Sequence, residues 1–410
     1  MNAKIQGIFR LSSKQPNIIS LMLLGAFASM GAIIMTPALP KISDFFGIRI
    51  GTTQLAVTSF LFGYALGQLL YGPIANAYGR KFALYVGLVL ATIGSVLSIV
   101  SSPVESFPLL VVSRFLEALG ASAGLAISIT IINDFYFEDQ ARRMMTMLML
   151  AFSVVPGVAN AIGGSLVQYL GWQSCFYFLL LYGFILILPT YCLAETLMQR
   201  DLNALQRKNI VQNYGHKFKN IKLVGFAMLA GLSGASIYVF GAEGPFIGIH
   251  LLHYQPSIYG LLALTPFIGM LIGNIISLRF SYIDPIIMIK IAFLIEFIST
   301  LMMFTCFLIH DINIYTLLIP MGLFAFGHPA LTATALALST RQFPDKANVS
   351  AVANFVMVSM PVLMTFLLSM LHAHNAIVMP IVFLIALTFM VIIYICIWKF
   401  SYPSNLDHDF

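Results

Sequence analysis

The chain has 410 residues, 60% of them hydrophobic and 9% charged, with a mean hydropathy of +0.93. Soluble domains carry about 25% charged residues, so a water-soluble enzyme or binding module is excluded. A bilayer-spanning helix uses about 20 residues, which leaves room for roughly a dozen spans, and runs such as 176–188 are apolar on every side where barrel strands would alternate.

Taken from the N-terminus, Lys4, Arg10 and Lys14 precede an apolar run with no small-residue cleavage site behind it, so the run is a retained first span rather than a signal peptide. Apolar runs of adequate length predict spans at 17–40, 53–74, 82–101, 108–134, 144–169, 173–194, 221–246, 257–279, 285–309, 313–338, 347–371 and 376–400. With both termini inside, all of the 21 basic residues except Lys41, Arg49 and the intramembrane Arg114 fall on the inner side, as the positive-inside rule demands. The net charge of +6 is scattered at span ends, not gathered into the dense patch that nucleic acid requires. Cys175, Cys192, Cys306 and Cys396 stand apart in apolar runs and suggest neither disulfide nor metal.

The longest polar stretch, 195–220, divides the chain into an N-terminal half, 1–194, and a C-terminal half, 221–410. Gly63-x-x-x-Gly67-Gln68 of span 2 recurs as Gly269-x-x-x-Gly273-Asn274 of span 8, and Pro156 of span 5 as Pro361 of span 11. Small-xxx-small spacing lets helices approach closely in lipid, and near-equal offsets of about half the chain point to duplicated halves with a binding site between them.

Between spans 2 and 3 the chain reads Gly72-Pro-Ile-Ala-Asn76-Ala77-Tyr-Gly79-Arg80-Lys81, which resembles the GxLaDRxGRK signature of the major facilitator superfamily. Thr36-Pro37-Ala38-Leu39-Pro40 at the predicted close of span 1, Arg114-x-x-Glu117-x-x-Gly120 in span 4, Asn133-Asp134-Phe-Tyr136 at its end, Pro156-x-x-Ala159-Asn160-x-x-Gly163-Gly164 in span 5, and Gly171-Trp172-x-x-x-Phe176 extend the likeness. Together they look like the drug:proton antiporters of that superfamily, most closely the bicyclomycin-resistance (Bcr/CflA) branch. The resemblance implies an all-helical membrane protein of twelve spans in two six-helix halves. It implies that Gly72, Asn76, Gly79, Arg80 and Lys81 form a cytoplasmic latch to the other half, and that Pro156, Gly163 and Gly164 form the gating kink. Asn76 and Ala77 carry neither of the charges that the family pattern supplies.

Arg114 is the foremost functional candidate, because an intramembrane guanidinium marks a site by default; Glu117 lies one turn along the same face. The resemblance places that arginine on the central cavity. Glu243, near the outer end of span 7, and His328 in span 10 are further candidates for substrate or proton handling, while Asn160 and Glu296 read as hydrogen-bond partners of neighbouring helices. His250, His253, His372 and His374 fall in outer loops. The acid that relatives carry four positions before Pro37 is replaced by Ile33, so proton coupling is expected to run through Glu117.

The expected function is secondary export of small lipophilic or amphipathic compounds, of the multidrug efflux type, by alternating access. The chain would be a monomer in a bacterial inner membrane, driven by a proton gradient, without cofactor, metal or chemistry on the substrate. The alternative is a dedicated metabolite or siderophore-like exporter, or an uptake permease with different or no coupling. No Ser/His/Asp set, paired catalytic carboxylates or phosphate-binding loop supports an enzyme.

Overall fold

The computed structural model describes residues 15–280, 282–343, 346–371 and 375–401; Lys4, Arg10, Lys14, His372 and His374 lie outside them. Among the described residues there is no strand, and twelve helical stretches are long and apolar enough to cross a membrane. The first half comprises span 1, Ile18–Phe46; span 2, Ile50–Tyr78; span 3, Arg80–Val100; span 4, Phe107–Phe135; span 5, Arg143–Leu170; and span 6, Ser174–Cys192. The second comprises span 7, Ile221–Leu251; span 8, Pro256–Arg279; span 9, Pro285–Leu308; span 10, Ile314–Thr340; span 11, Asn348–Met370; and span 12, Val378–Lys399. Successive spans alternate in direction, giving the bundle a linker end, which holds the segment between spans 6 and 7, and a far end.

Span 1 does not close at Thr36–Pro40. Pro37 begins a 3-10 turn, Thr36–Ala38, and Pro40 begins a fresh helix, Leu39–Phe46. In a first turn the missing N–H has no intrahelical partner to lose, so the chain bends there and continues. Span 7 likewise runs on past Pro245 as a π-helix, Phe246–Leu251.

The paired glycines make equivalent crossings. A Cβ on Gly63 would lie 2.3 Å from the carbonyl oxygen of Phe115 in span 4, and one on Gly269 would lie 2.3 Å from that of Gly322 in span 10. One turn on, Gly67 is pressed against Ser122 of span 4, and Gly273 against the Phe326 carbonyl of span 10. Spans 2 and 4 thus meet as spans 8 and 10 do.

The halves join chiefly by span 2 against span 11 and span 5 against span 8. At the far end this seam is tight. Cβ positions at Gly51 and Gly164 lie 2.4 Å from the Ser369 carbonyl and 2.3 Å from the Pro256 carbonyl, and Thr58 donates to Thr365 Oγ1 across it at 3.0 Å.

The linker contains a 3-10 turn, Leu202–Leu205, and a helix, Arg207–Phe218. Tyr214 of that helix packs on Leu223, Val349 and Val352 of the second half, and its hydroxyl donates to the Leu69 carbonyl of span 2 at 3.2 Å. Pro73, four residues after Leu69, has no N–H to give this carbonyl. The linker tyrosine supplies the donor that the proline withholds.

Candidate functional site

The sequence candidates do not gather in one place; they form separate polar groups. In the first half, Arg114 is 0% and Glu117 1% exposed. Arg114 donates from Nη1 to Glu117 Oε2 at 2.9 Å and from Nη2 to the Gly31 carbonyl of span 1 at 2.7 Å. Its guanidinium carbon lies 4.2 Å from the ring centre of Phe60 in span 2 and 5.8 Å from that of Phe176 in span 6. Span 3 closes the pocket at Gly94, where a Cβ would meet the Glu117 backbone at 2.4 Å. The pair is therefore sealed inside one half, not set on a cavity wall. Arg114 Nε and Glu117 Oε1 are both buried without a partner among the described residues.

Glu243 is 3% exposed and lies on the seam itself. Gln54 of span 2 donates from Nε2 to its Oε2, an acid-to-amide bond between the halves. Two residues before Glu243, the Cβ position of Gly241 is 3.7 Å from Thr36 Cγ2 and 3.9 Å from Ile33 Cδ1, both in span 1. Ile33, at the position where the sequence resemblance leads an acid to be expected, is thus an apolar contact of span 7 across the seam.

His328 belongs to a third group with Ser233 of span 7, Glu296 of span 9 and Thr332. Glu296 accepts from a neighbouring helix, as its burial in hydrocarbon requires.

Span 5 turns its two glycines in different directions. Gly163 is pressed against the Ile34 carbonyl of span 1, and Gly164 against Pro256 of span 8 in the other half. Asn160 accepts from Thr36 Oγ1 at 2.9 Å and so ties spans 1 and 5. Pro156 lies within the continuous helix Glu138–Leu170.

The loop after span 2 is a clamp within the first half. Arg80 is 7% exposed and donates from Nε to Asp134 Oδ2 at 2.9 Å, and from Nη1 to the Ala75 carbonyl at 2.8 Å and Asn76 Oδ1 at 3.0 Å. Glu195, just past span 6, accepts the backbone N–H groups of Arg80 and Lys81 at 2.9 and 3.1 Å, capping the start of span 3. Gly79 adopts φ +115°, and a Cβ there would meet Glu195 Oε2 at 2.6 Å. Lys81 donates to the Tyr191 carbonyl at 2.8 Å, and Gly72 lies beside the Tyr214 hydroxyl. Beyond its own half, the loop reaches the linker, where the Asp201 N–H donates to the Asn76 carbonyl at 3.0 Å.

Sequence reading missed Gln54, Ser233, Glu195 and Tyr214. Only Glu195 carried a local signal, an acid at a span end facing the basic pair. An open cleft of about 210 Å³ lined by Leu229, Lys290, Phe293 and Tyr394 lies on the second half toward the linker end, apart from these groups and almost wholly apolar.

The sequence model of the Major Facilitator Superfamily matches residues 21–283. The chain is 23% identical over 333 residues to the bicyclomycin resistance protein homolog of Haemophilus influenzae, covering 81% of this chain and 83% of that protein. It is 24% identical over 346 residues to multidrug resistance protein D of Escherichia coli, covering 82% and 84%. The partially occluded inward open structure of the xylose transporter XylE from E. coli superimposes with a TM-score of 0.73 at 16% identity, covering 96% of this chain and 98% of that one. At that identity the likeness is one of fold.

Proposed function

Since the chain belongs to the major facilitator superfamily, and is a transporter and not an enzyme, we propose that it exports small lipophilic or amphipathic compounds by alternating access, exchanging them for protons. The linker end and both termini face the cytoplasm, the side on which the basic residues collect. The relatives named for bicyclomycin and multidrug resistance support the efflux direction.

The observation that carries the reading is the Gln54–Glu243 bond, which places a carboxyl group in a far-end seam otherwise closed by glycine-to-backbone contacts and the neutral Thr58–Thr365 bond. Opening the far end must break that bond and admit water to the carboxyl group. Closing it takes the group out of water with a single donor, and burying an ionised carboxylate costs on the order of several kcal/mol. A proton taken up from outside removes that cost and favours closure. The substrate-free carrier therefore returns inward with a proton, and the substrate leaves outward. Glu117, sealed with Arg114 inside one half, would load a proton only in a state that wets its pocket; Glu243 comes first as coupling acid.

The test is efflux of chloramphenicol and bicyclomycin from proteoliposomes under an imposed pH gradient, together with drug tolerance of cells that gain or lose the gene. Gradient-dependent efflux and raised tolerance are expected. Unchanged tolerance with one accumulated metabolite would replace this reading with the dedicated exporter.

A further inference from the structure

Three side chains that the proposed cycle leaves unused meet in the middle of the second half. Glu296 of span 9, 0% exposed, accepts from Ser233 Oγ of span 7. The same Ser233 Oγ lies 2.7 Å from His328 Nδ1 of span 10, and Thr332 Oγ1, one turn along, lies 3.1 Å from that nitrogen. Each residue falls near the middle of its span, so the cluster sits near the membrane midplane. Glu296 Oε2 has no partner among the described residues.

Hydrogen counting gives this cluster two states. A serine hydroxyl has one hydrogen. If Ser233 donates to an ionised Glu296, its oxygen must accept from Nδ1–H of His328. If Glu296 carries the proton and donates, Ser233 turns its own hydrogen toward a bare Nδ1. Both arrangements keep the Glu296–Ser233–His328 bonds on the same heavy atoms, with Thr332 Oγ1 sharing the Nδ1 hydrogen in the first and donating to bare Nδ1 in the second.

The outlet of the cluster faces the first half. His328 follows Ile319 by nine residues, about two and a half helical turns, and so points to the opposite side of span 10 from that 53% exposed side chain. His328 as a residue is half-buried, and its Cε1 lies 3.6 Å from the Cβ position of Gly234. Gly234, Tyr238 and Gly241 form one stripe of span 7, and Gly241 meets Thr36 of span 1. The Nε2 edge of His328 thus borders the space between the halves.

Within the second half no other charge stands at this level, and the Arg114–Glu117 pair is enclosed in the first half. Spans 10 and 11 contain no Asp, Glu, Lys or Arg. Arg279 of span 8, Lys290 of span 9, Lys399 of span 12 and Lys222 of span 7 belong to the linker-end portions of their spans, and Glu243 to the far end. The other titratable side chains of these spans are Tyr238, Tyr259, Cys306, Tyr315, Tyr394, Cys396 and the exposed His250, and none of them hydrogen-bonds to the cluster among the described residues.

We propose that Glu296, Ser233 and His328 form a second proton-binding site of the transport cycle, loaded and unloaded through the Nε2 edge of His328. A proton from water between the halves bonds to Nε2. The Nδ1 proton passes to Ser233 Oγ as the Ser233 proton passes to Glu296 Oε1. One proton enters, an N–H bond at Nε2 replaces one at Nδ1, and the carboxylate becomes an acid. A charge at the midplane with a single donor is thereby neutralised without moving a helix. The site rests on the exporter reading for its role in transport, but its titration can be read without any substrate.

The experiment is pH-difference infrared spectroscopy of the full-length protein in lipid nanodiscs, paired with the proteoliposome efflux assay using chloramphenicol. A buried-carboxyl band should change in step with an imidazole band. Glu296→Gln should remove the carboxyl component that moves with the imidazole band and leave that of Glu243, and Ser233→Ala, the gentler change, should leave both coupled bands but separate them in pH. His328→Gln should cut gradient-driven efflux at least tenfold while leaving downhill exchange. A carboxyl component that still moves in step with the imidazole band in Glu296→Gln, or bands that stay in step in Ser233→Ala, would overturn the site. Coupled bands in the wild-type protein with undiminished gradient-driven efflux in His328→Gln would overturn its place in the cycle. Wild-type protein that moves no chloramphenicol under any gradient would count against the exporter reading alone, since the spectra decide the site separately.

Discussion

Removing Arg114 should cost more than removing Arg114 and Glu117 together. In Arg114→Met the Glu117 carboxylate stays buried at 1% exposure and loses the donor at 2.9 Å. Breaking a buried pair from one side destabilises by about 3–5 kcal/mol. Glu117→Leu should cost less, about 2 kcal/mol, because the guanidinium keeps the Gly31 carbonyl at 2.7 Å and the Phe60 face at 4.2 Å, and a desolvated cation–π contact is worth about 2 kcal/mol. The double variant leaves only apolar side chains in a pocket already walled by Phe60 and Phe176, and such replacements are often neutral. It should fall within about 1 kcal/mol of wild type, a coupling of at least about 4 kcal/mol. Trp172, 4% exposed and packed on Phe176, provides the fluorescence signal for reversible unfolding in detergent. Additive losses in the double variant would refute the closed pair and mean that water or another group already serves one of the two charges.

Gly164→Ala should force the far-end seam apart, since its Cβ would lie 2.3 Å from the Pro256 carbonyl. Overpacking of about 1–3 kcal/mol translates to a shift of roughly 5- to 150-fold toward the far-end-open state, read as faster labelling of a cysteine placed at Ser369; unchanged labelling would show that the seam has slack. Glu243→Gln should abolish gradient-driven efflux but permit exchange, and gradient-driven efflux at the wild-type rate would move coupling elsewhere. Asn76→Asp should strengthen the bond to Arg80 within its own half, raising stability by under about 1 kcal/mol as an exposed ion pair does, with no change in accessibility at either end. A shift in accessibility would restore the inter-half latch that the sequence suggests.

The spans were legible because lipid imposes a length and a composition on each of them, and the glycine pairs because close helix contact leaves a spacing in one strand of sequence. Arg114 and Glu117 were legible as a pair for the same reason, three residues apart on one helix. Gln54 with Glu243 and Ser233 with Glu296 and His328 were not, since each contact joins different spans and no periodicity within one span records which neighbour its polar face will meet. The linker was legible only as polar. Its helix is ordered through Tyr214, a residue whose meaning depends on a carbonyl orphaned by a proline in another span.

That tyrosine decides where the chain can be cut. Two halves produced as separate polypeptides should reassemble if the break precedes Arg207, because the second fragment then carries the phenol that fills the Leu69 vacancy. A break after Phe218 would give the helix to the fragment whose packing surface for it is missing, for Tyr214 rests on Leu223, Val349 and Val352. The same reasoning limits recombination with related carriers. A chimera exchanging whole halves inherits a proline from one parent and a linker from the other, and unless that linker brings a hydroxyl to the same depth, it leaves a bare carbonyl at the mouth of the bundle.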